Sequence, residues 1–202
     1  KAIRYFRNSS LLTEEFIDKF AGYLRLHAKR LEEKGGDERL QSNWCILENS
    51  GLFEIAMALP QDEDTRRWAS LALRRIRDSV RVQVYEDGSQ WEQSPMYHNE
   101  VFHCLCCVVY LARANGIRLD PGLEETVHRM ALADVIWRKP DGCQFIQGDS
   151  DEVDLRDKIT MGAWLFRDPV LKYAGFDRMD FEGAWDFGRK ASLEYRSLPA
   201  EK

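Results

Sequence analysis

The segment that decides the fold class covers residues 62–80 and reads DEDTRRWASLALRRIRDSV. Its apolar side chains Trp68, Ala72, Ile76 and Val80 recur every four positions, and this spacing places them on one face of an α-helix. The three acidic residues at 62–64 lie at the start, where the helix dipole favours negative charge. The segment therefore predicts a helix over about 62–84, with Trp68 in the core.

The same three-to-four periodicity runs through nearly the whole chain. Predicted helices cover about 12–34, 42–59, 62–84, 99–114, 121–137, 155–166 and 181–195. In the first of them His27 lies on the apolar stripe and is expected to be a core histidine. A strand-like pattern is found only at residues 143–146. Helices joined by short turns predict an all-α fold of helical hairpins. An α/α toroid is favoured over an ordinary bundle, because the polar segments 41–44, 87–98 and 147–151 alternate with helix pairs.

Composition and charge exclude several classes of protein. With 44% hydrophobic and 31% charged residues, the 202-residue chain is not intrinsically disordered. It has no apolar run long enough to span a bilayer, so no membrane partner is expected. The net charge of −5 argues against general binding of nucleic acid. The chain begins at Lys1 without a Met, from which we expect a fragment of a larger protein.

The five cysteines predict neither a disulfide framework nor a metal site. Three of them, Cys104, Cys106 and Cys107, fall in one apolar stretch and are interpreted as small buried side chains. Paired Cys-x-x-Cys motifs of the kind that bind zinc are absent from the sequence. Thiols favour a reducing compartment. A cytoplasmic location is therefore favoured, with a periplasmic or secreted one left open.

The segment DGSQWEQSPMYH at 87–98 carries the strongest functional signal. A turn needs its Asp-Gly pair and a helix start tolerates Ser-Pro, but neither needs Trp91, Glu92, Tyr97 and His98 so close together. Aromatic rings with a carboxylate, a phenol and an imidazole are the materials of a sugar-binding site that has proton-transfer groups.

Three short patterns occur in order along the chain. They are Ser42-Asn43-Trp44 with Glu48, the 87–98 segment, and Gly148-Asp149-Ser150-Asp151. Over about residues 40–165 they resemble the heparinase II/III family of polysaccharide lyases and its oligo-alginate lyase relatives. The resemblance implies that residues 1–202 form an α/α-toroid domain, and that an antiparallel β-sheet domain completing the catalytic cleft lies outside them. Neither a cofactor nor a metal ion is implied.

The chemistry of such lyases explains the residue types. The enzyme removes the C5 proton of a uronic acid and expels the oxygen at C4, so it must stabilise the carboxylate and supply an acid and a base. The resemblance assigns carboxylate binding to Asn43 and proton transfer to Tyr97, and His98 is a third catalytic candidate. Candidates for substrate binding are Glu92, Trp91, Trp44 and Glu48. Trp44 stands where alginate-type relatives carry His, and the family takes a further His from its β-sheet domain.

Two other functions remain open at this point. A glycoside hydrolase would use paired carboxylates, such as Glu92 with Asp149 or Asp151. A helical interaction domain would have no chemistry, and Asn43 would then be only a helix N-cap. The favoured function is a lyase that acts on an acidic oligosaccharide or polysaccharide.

Overall fold

The computed structural model of the chain describes residues 1–36 and 39–202. It divides into two compact units, residues 1–80 and 81–202. About 66% of the described residues are helical, and these residues contain only isolated bridges in place of strands. The helices are α1 (Ala2–Phe6), α2 (Glu14–Lys34), α3 (Asn43–Ala58), α4 (Glu63–Gln83), α5 (Pro95–Ala114), α6 (Pro121–Trp137), α7 (Arg156–Phe166), α8 (Pro169–Ala174), α9 (Phe181–Phe187) and α10 (Arg189–Tyr195). None of these helices is long and apolar enough to cross a membrane.

In the first unit, capping residues set the helix starts and an apolar core holds the helices together. Thr13 is the N-cap of α2, and its side chain accepts a hydrogen bond from Phe16 N. Trp68 of α4 is fully buried, and its ring N–H donates to a Glu32 carboxylate oxygen on α2 at 2.9 Å. The prediction that Trp68 is a core residue is thus confirmed.

The prediction that His27 is a core histidine is wrong, because its side chain is exposed. The apolar stripe exists in α2, but its aromatic members Phe16, Phe20 and Tyr23 are 37–54% exposed. Successive residues of an α-helix are rotated by about 100° around its axis. By this measure the stripe lies about 100° away from Ala28, which is the one described α2 residue that is buried. Periodicity located the stripe correctly, but it did not identify the face that packs.

The second unit is built around α5, whose central residues are almost all buried. α5 packs against α6, α7 and α9, and α7 packs against α8. Helices α6 and α7 approach closely at Gly162, where a Cβ atom would come within 2.8 Å of the Ala131 methyl group. Side chains fully buried in this core include Phe102, Leu105, Met130, Ile159 and Met161.

Three predicted elements of the second unit differ from the structure. α5 begins at Pro95, four residues earlier than expected, because Ser94 is its N-cap and Pro95 suits the first helical position. The predicted helix 181–195 is two helices, which are separated at Gly188 with φ of +89°. The strand-like stretch 143–146 forms only an isolated bridge, between Cys143 and Asp154.

Candidate active site

The segment 84–90 forms a tight hairpin turn in the second unit. Val84 and Gln90 pair as an antiparallel bridge, and the Asp87 carboxylate accepts from both the backbone N–H and the hydroxyl of Ser89. Gly88 has φ of +89°, and a Cβ atom there would lie 2.4 Å from the carbonyl oxygen of Arg129 on α6. Only glycine therefore fits this turn against α6, which fixes where the following residues lie.

The start of α5 is held by two serines that lie 56 positions apart. Ser94 Oγ, the N-cap, accepts from Tyr97 N, and it shares a 2.8 Å hydrogen bond with the buried Ser150 Oγ. Ser150 Oγ also accepts from Met96 N at 3.1 Å. The 147–151 loop therefore caps the helix that carries Tyr97, and the second and third sequence patterns are brought together.

Tyr97 and Asp149 form the contact with the greatest chemical consequence in this region. The phenol of half-buried Tyr97 donates to Asp149 Oδ2 at 3.1 Å, and Asp149 itself is exposed. This hydrogen bond raises the pKa of Tyr97 above its ordinary value, and the charge of Asp149 raises it further. Slight burial and the charge of Glu92 act in the same direction. At neutral pH the residue is thus a protonated phenol, poised at the surface to donate rather than to accept a proton.

His98 lies behind Tyr97 and faces the interior. Its side chain is 1% exposed, it packs edge-on against Trp137 at 4.8 Å between ring centroids, and Nε2 lies 3.3 Å from the Met130 carbonyl oxygen. Desolvation lowers the pKa of His98 to about 4, so the imidazole is neutral at physiological pH. A buried, neutral imidazole can support the wall of a site, but it cannot reach a sugar placed against Tyr97 without moving.

A cleft of about 250 Å³ lies beside this segment, within the second unit. Its lining is mostly polar, with Trp137 and Phe145 as the aromatic members. The lining residues are Asp87, Ser89, Gln90, Gln93, Ser94, Pro95, His98, Trp137, Phe145 and Gln147. Polar groups with one or two aromatic faces suit a carbohydrate. Trp91, 37% exposed, and half-buried Glu92 follow the turn but are outside this lining.

The remaining candidates lie in the first unit. Ser42, not Asn43, is the N-cap of α3, because its hydroxyl accepts from Trp44 N. Asn43 is the first residue of the helix and is half-buried. Trp44 is 62% exposed. Glu48 forms an ion pair with Arg39 at 2.8 Å, so it has a structural partner.

Sequence reasoning assigned no role to three polar residues that organise the site. Asn99 Nδ2 donates to Pro95 O and to Gln144 Oε1, while Gln144 Nε2 donates to Asp151 O at 2.6 Å. These two side chains and Ser150, the third of the three residues, connect the start of α5 to the 144–151 loop. All three are buried, and buried polar side chains are usually hydrogen-bonded. For Asn99 and Gln144 the signal in the sequence was an amide near an apolar stretch, whereas Ser150 lies in a polar loop that carries no such signal.

Comparison with known proteins identifies the family to which the chain belongs. Residues 1–173 match the family model described as Heparinase II/III N-terminus. The chain belongs to the heparinase II/III family. Two heparin-sulfate lyases are similar in sequence. The one from Bacteroides stercoris is 26% identical over 129 residues, which are 63% of this chain and 19% of that protein. The one from Pedobacter heparinus is 26% identical over 153 residues, 72% of this chain and 22% of that protein.

Solved structures of the family share the fold. Heparinase III superposes with a TM-score of 0.69 at 21% identity, covering 85% of this chain and 28% of that one. Heparan sulfate lyase HepC from Pedobacter heparinus gives 0.68 at 23% identity, with the same coverage. The predicted fold class, all-α helical hairpins of the α/α-toroid type, is confirmed. The chain spans about one fifth of the length of the curated relatives it matches.

Proposed function

We propose that this chain belongs to a polysaccharide lyase that cleaves uronic-acid-containing glycosaminoglycans of the heparan sulfate type by β-elimination. The observation that carries the proposal is the hydrogen bond from the Tyr97 phenol to Asp149. Neither residue lines the polar cleft itself, but their segments do so through Ser94, His98 and Gln147. Family membership and the names of the similar heparin-sulfate lyases support the same reaction class. Their names are also the reason for choosing a heparan-type glycan over alginate.

In this proposal Tyr97 is the general acid. A base removes the C5 proton of the uronic acid, the electron pair forms the C4–C5 double bond, and the C4–O bond breaks. The leaving oxygen takes the proton of the Tyr97 phenol, which the raised pKa keeps on the phenol until then. Asp149 orients the hydroxyl, and its negative charge disfavours loss of the proton before the C4–O bond breaks.

Asn43 is proposed to hydrogen-bond the uronate carboxylate, where negative charge accumulates as the C5 proton is removed. We propose that the sugar contacts Trp91, Trp44 and Glu92. Glu48 contacts the sugar only through Arg39, its ion-pair partner. His98 supports the cleft wall next to Trp137 and does not transfer protons. We further propose that a β-sheet domain outside these 202 residues supplies the base.

The test is the full-length protein with Tyr97→Phe, assayed by the ultraviolet absorbance of the unsaturated uronate on heparan sulfate, chondroitin sulfate and alginate. The variant keeps the ring and loses the proton, so turnover should fall by about 10²–10⁴-fold. Tyr173→Phe, which alters an exposed tyrosine of α8, is the matched control and should behave as wild type. Cleavage that yields reducing ends but no ultraviolet absorbance would identify a hydrolase and overturn the proposal.

Asn43→Ala tests the second role in the same assay. Loss of one donor to the developing charge should lower turnover by about 10²–10³-fold, by analogy with oxyanion-hole donors. Asn8→Ala removes an amide from an exposed position of the first unit and should leave turnover unchanged. Equal rates for the two asparagine variants would remove Asn43 from the mechanism.

A further inference from the structure

Three metal-ligating side chains converge in the core of the second unit, in a part of the molecule that the proposed lyase reaction does not use. His103 and Cys107 occupy positions i and i+4 of α5 and therefore share one face of that helix. Asp186 of α9 meets them, with Oδ2 at 2.5 Å from His103 Nε2 and 3.4 Å from Cys107 Sγ. The three potential ligand atoms all lie within 4.8 Å of one another.

Burial makes this cluster unusual. Asp186 is 2% and Cys107 is 4% exposed, whereas the His103 side chain is 16% exposed. A carboxylate loses solvation when it leaves water and requires a compensating positive charge or donors. The solvent-accessible edge of the imidazole offers a route by which an ion could reach the two buried groups.

We propose that His103, Cys107 and Asp186 form a zinc site that links α5 to α9. The donor set of one imidazole nitrogen, one sulfur and one carboxylate oxygen suits Zn²⁺, whereas Ca²⁺ and Mg²⁺ require oxygen ligands. On binding, the Cys107 thiol loses its proton to solvent, and the imidazole binds in its neutral form. The thiolate, the carboxylate and Zn²⁺ then sum to zero charge, which favours the ion in a buried site. Water completes the fourth position.

A carboxylate lies near the other imidazole nitrogen, beyond hydrogen-bond distance. His103 Nδ1 lies 3.8 Å from Glu182 Oε1, and that carboxylate also accepts from Lys158, which pairs with Asp157 as well. Metal-bound histidines usually donate their second N–H to a carboxylate, which fixes the ring and its tautomer. Lys158 pairs with both Glu182 and Asp157, so its positive charge is shared between these two carboxylates.

The alternative is a cluster in which the imidazole and the thiol simply donate to Asp186. The chain contains a natural comparison for this arrangement. His128 Nε2 contacts Asp168 Oδ2 at 2.7 Å, and among the described residues this pair belongs to no cluster of three metal-ligating side chains. An imidazole–carboxylate pair alone should not bind zinc tightly, whereas the three-ligand cluster should.

The experiment titrates the metal-free 202-residue chain with Zn²⁺ against a chromophoric chelator, and with Co²⁺ followed by optical absorption. We expect one equivalent of zinc with a dissociation constant below about 1 μM, by comparison with structural zinc sites. Bound Co²⁺ should show a thiolate-to-metal charge-transfer band. Cys107→Ser should remove that band, and Cys107→Ser and His103→Gln should each weaken zinc binding at least 100-fold. Glu182→Gln should weaken it by about 10–100-fold.

Two matched controls accompany these variants. His128→Gln breaks the imidazole–carboxylate pair without a thiol, and Cys45→Ser alters another buried cysteine. Both should bind zinc as wild type does. Absence of a thiolate band in the cobalt-saturated wild-type chain would overturn the proposal, whether or not the variants fold. Equal zinc affinity for Cys107→Ser and Cys45→Ser would overturn it as well. Neither result bears on the lyase reaction, whose test depends on Tyr97.

Discussion

At the residue scale, the contact between Tyr97 and Asp149 makes a prediction that needs no substrate. Asp149→Asn keeps a hydrogen-bond acceptor but removes the charge that, with the hydrogen bond, raises the pKa of Tyr97. The pKa of Tyr97 should therefore fall toward its ordinary value. Titration of ring-labelled tyrosine by NMR measures this, with Tyr97→Phe used to assign the resonance.

The control for that titration is Asp151→Asn, which removes a carboxylate of the same loop. Since Asp151 is not among the causes of the raised pKa, Tyr97 should titrate as in wild type. An unchanged Tyr97 titration in Asp149→Asn would show that the hydrogen bond is not formed in solution. In the full-length enzyme, Asp149→Asn should also move the alkaline limb of the pH–rate profile to lower pH, because Tyr97 would lose its proton sooner.

Gly88 makes a second prediction at the residue scale. Gly88→Ala would place a Cβ 2.4 Å from the Arg129 carbonyl oxygen at a φ of +89°, so the turn or α6 must shift. Gly116 is the matched control, because its φ is +67° and a Cβ there meets nothing within 4 Å. Gly116→Ala should cost only the backbone strain of about 1–2 kcal/mol.

The free energy of unfolding, measured with urea, distinguishes these two glycines. Gly88→Ala should cost clearly more than Gly116→Ala, since it adds a clash with backbone to the same strain. Equal losses for the two variants would mean that the turn does not pack against α6 as described.

At the scale of elements, the start of α5 depends on a residue far away in the chain. Ser150→Ala removes the hydroxyl that bonds Ser94 Oγ and Met96 N, and it leaves the Met96 N–H in the buried start of the helix without that acceptor. The loss should be about 1–2 kcal/mol of unfolding free energy, the usual range for a cap or a buried hydrogen bond.

Thermal or urea unfolding checks this value, with Ser70→Ala as control. Ser70 is exposed on α4 and its hydroxyl bonds only a carbonyl of its own helix, so its removal should change stability by less than about 0.5 kcal/mol. If Ser150→Ala were as harmless as Ser70→Ala, the 147–151 loop would not be what caps α5.

At the scale of the whole molecule, two buried titratable groups make stability depend on pH in opposite ways. His98 Nε2 and Asp134 Oδ1 lie 3.6 Å apart, and both side chains are almost fully buried. Burial lowers the pKa of His98 to about 4, so its contribution is complete above its unfolded pKa of about 6.5 and is lost as pH falls toward 4. The loss amounts to about 3 kcal/mol for a shift of this size.

His98→Gln should therefore flatten the pH dependence of stability between about 6.5 and 4, because the amide can bond but cannot titrate. The contribution of Asp134 to stability changes with pH in the opposite direction. Burial raises its pKa, so its contribution is present below the unfolded value and is lost as pH rises. Asp134→Asn should then make the chain relatively more stable at alkaline pH. Urea unfolding at a series of pH values measures both, and parallel curves for wild type and His98→Gln would contradict the account of His98.

The sequence alone predicted the six longest helices, α2 to α7, and their approximate ends, because helical periodicity, capping residues and glycine stops are local properties. It also identified the 87–98 segment, because several of its residue types serve no local purpose, and the resemblance to a known family added Gly148-Asp149-Ser150-Asp151. The face of α2 that packs could not be predicted, because which stripe is buried depends on the neighbours that reach it. For the same reason His27 was misplaced, while Trp68 was correctly expected in the core.

Only the tertiary structure decided the partners of the site residues. Tyr97 and Asp149 are 52 positions apart, Ser94 and Ser150 are 56 apart, and His103 and Asp186 are 83 apart. No local pattern encodes such a pairing, because it results from the packing of α5 against α7 and α9 and from the path of the 144–151 loop. The sequence determined which chemical groups are available, and packing determined which of them meet, because a hydrogen bond or a metal ligand needs its partner within about 3 Å.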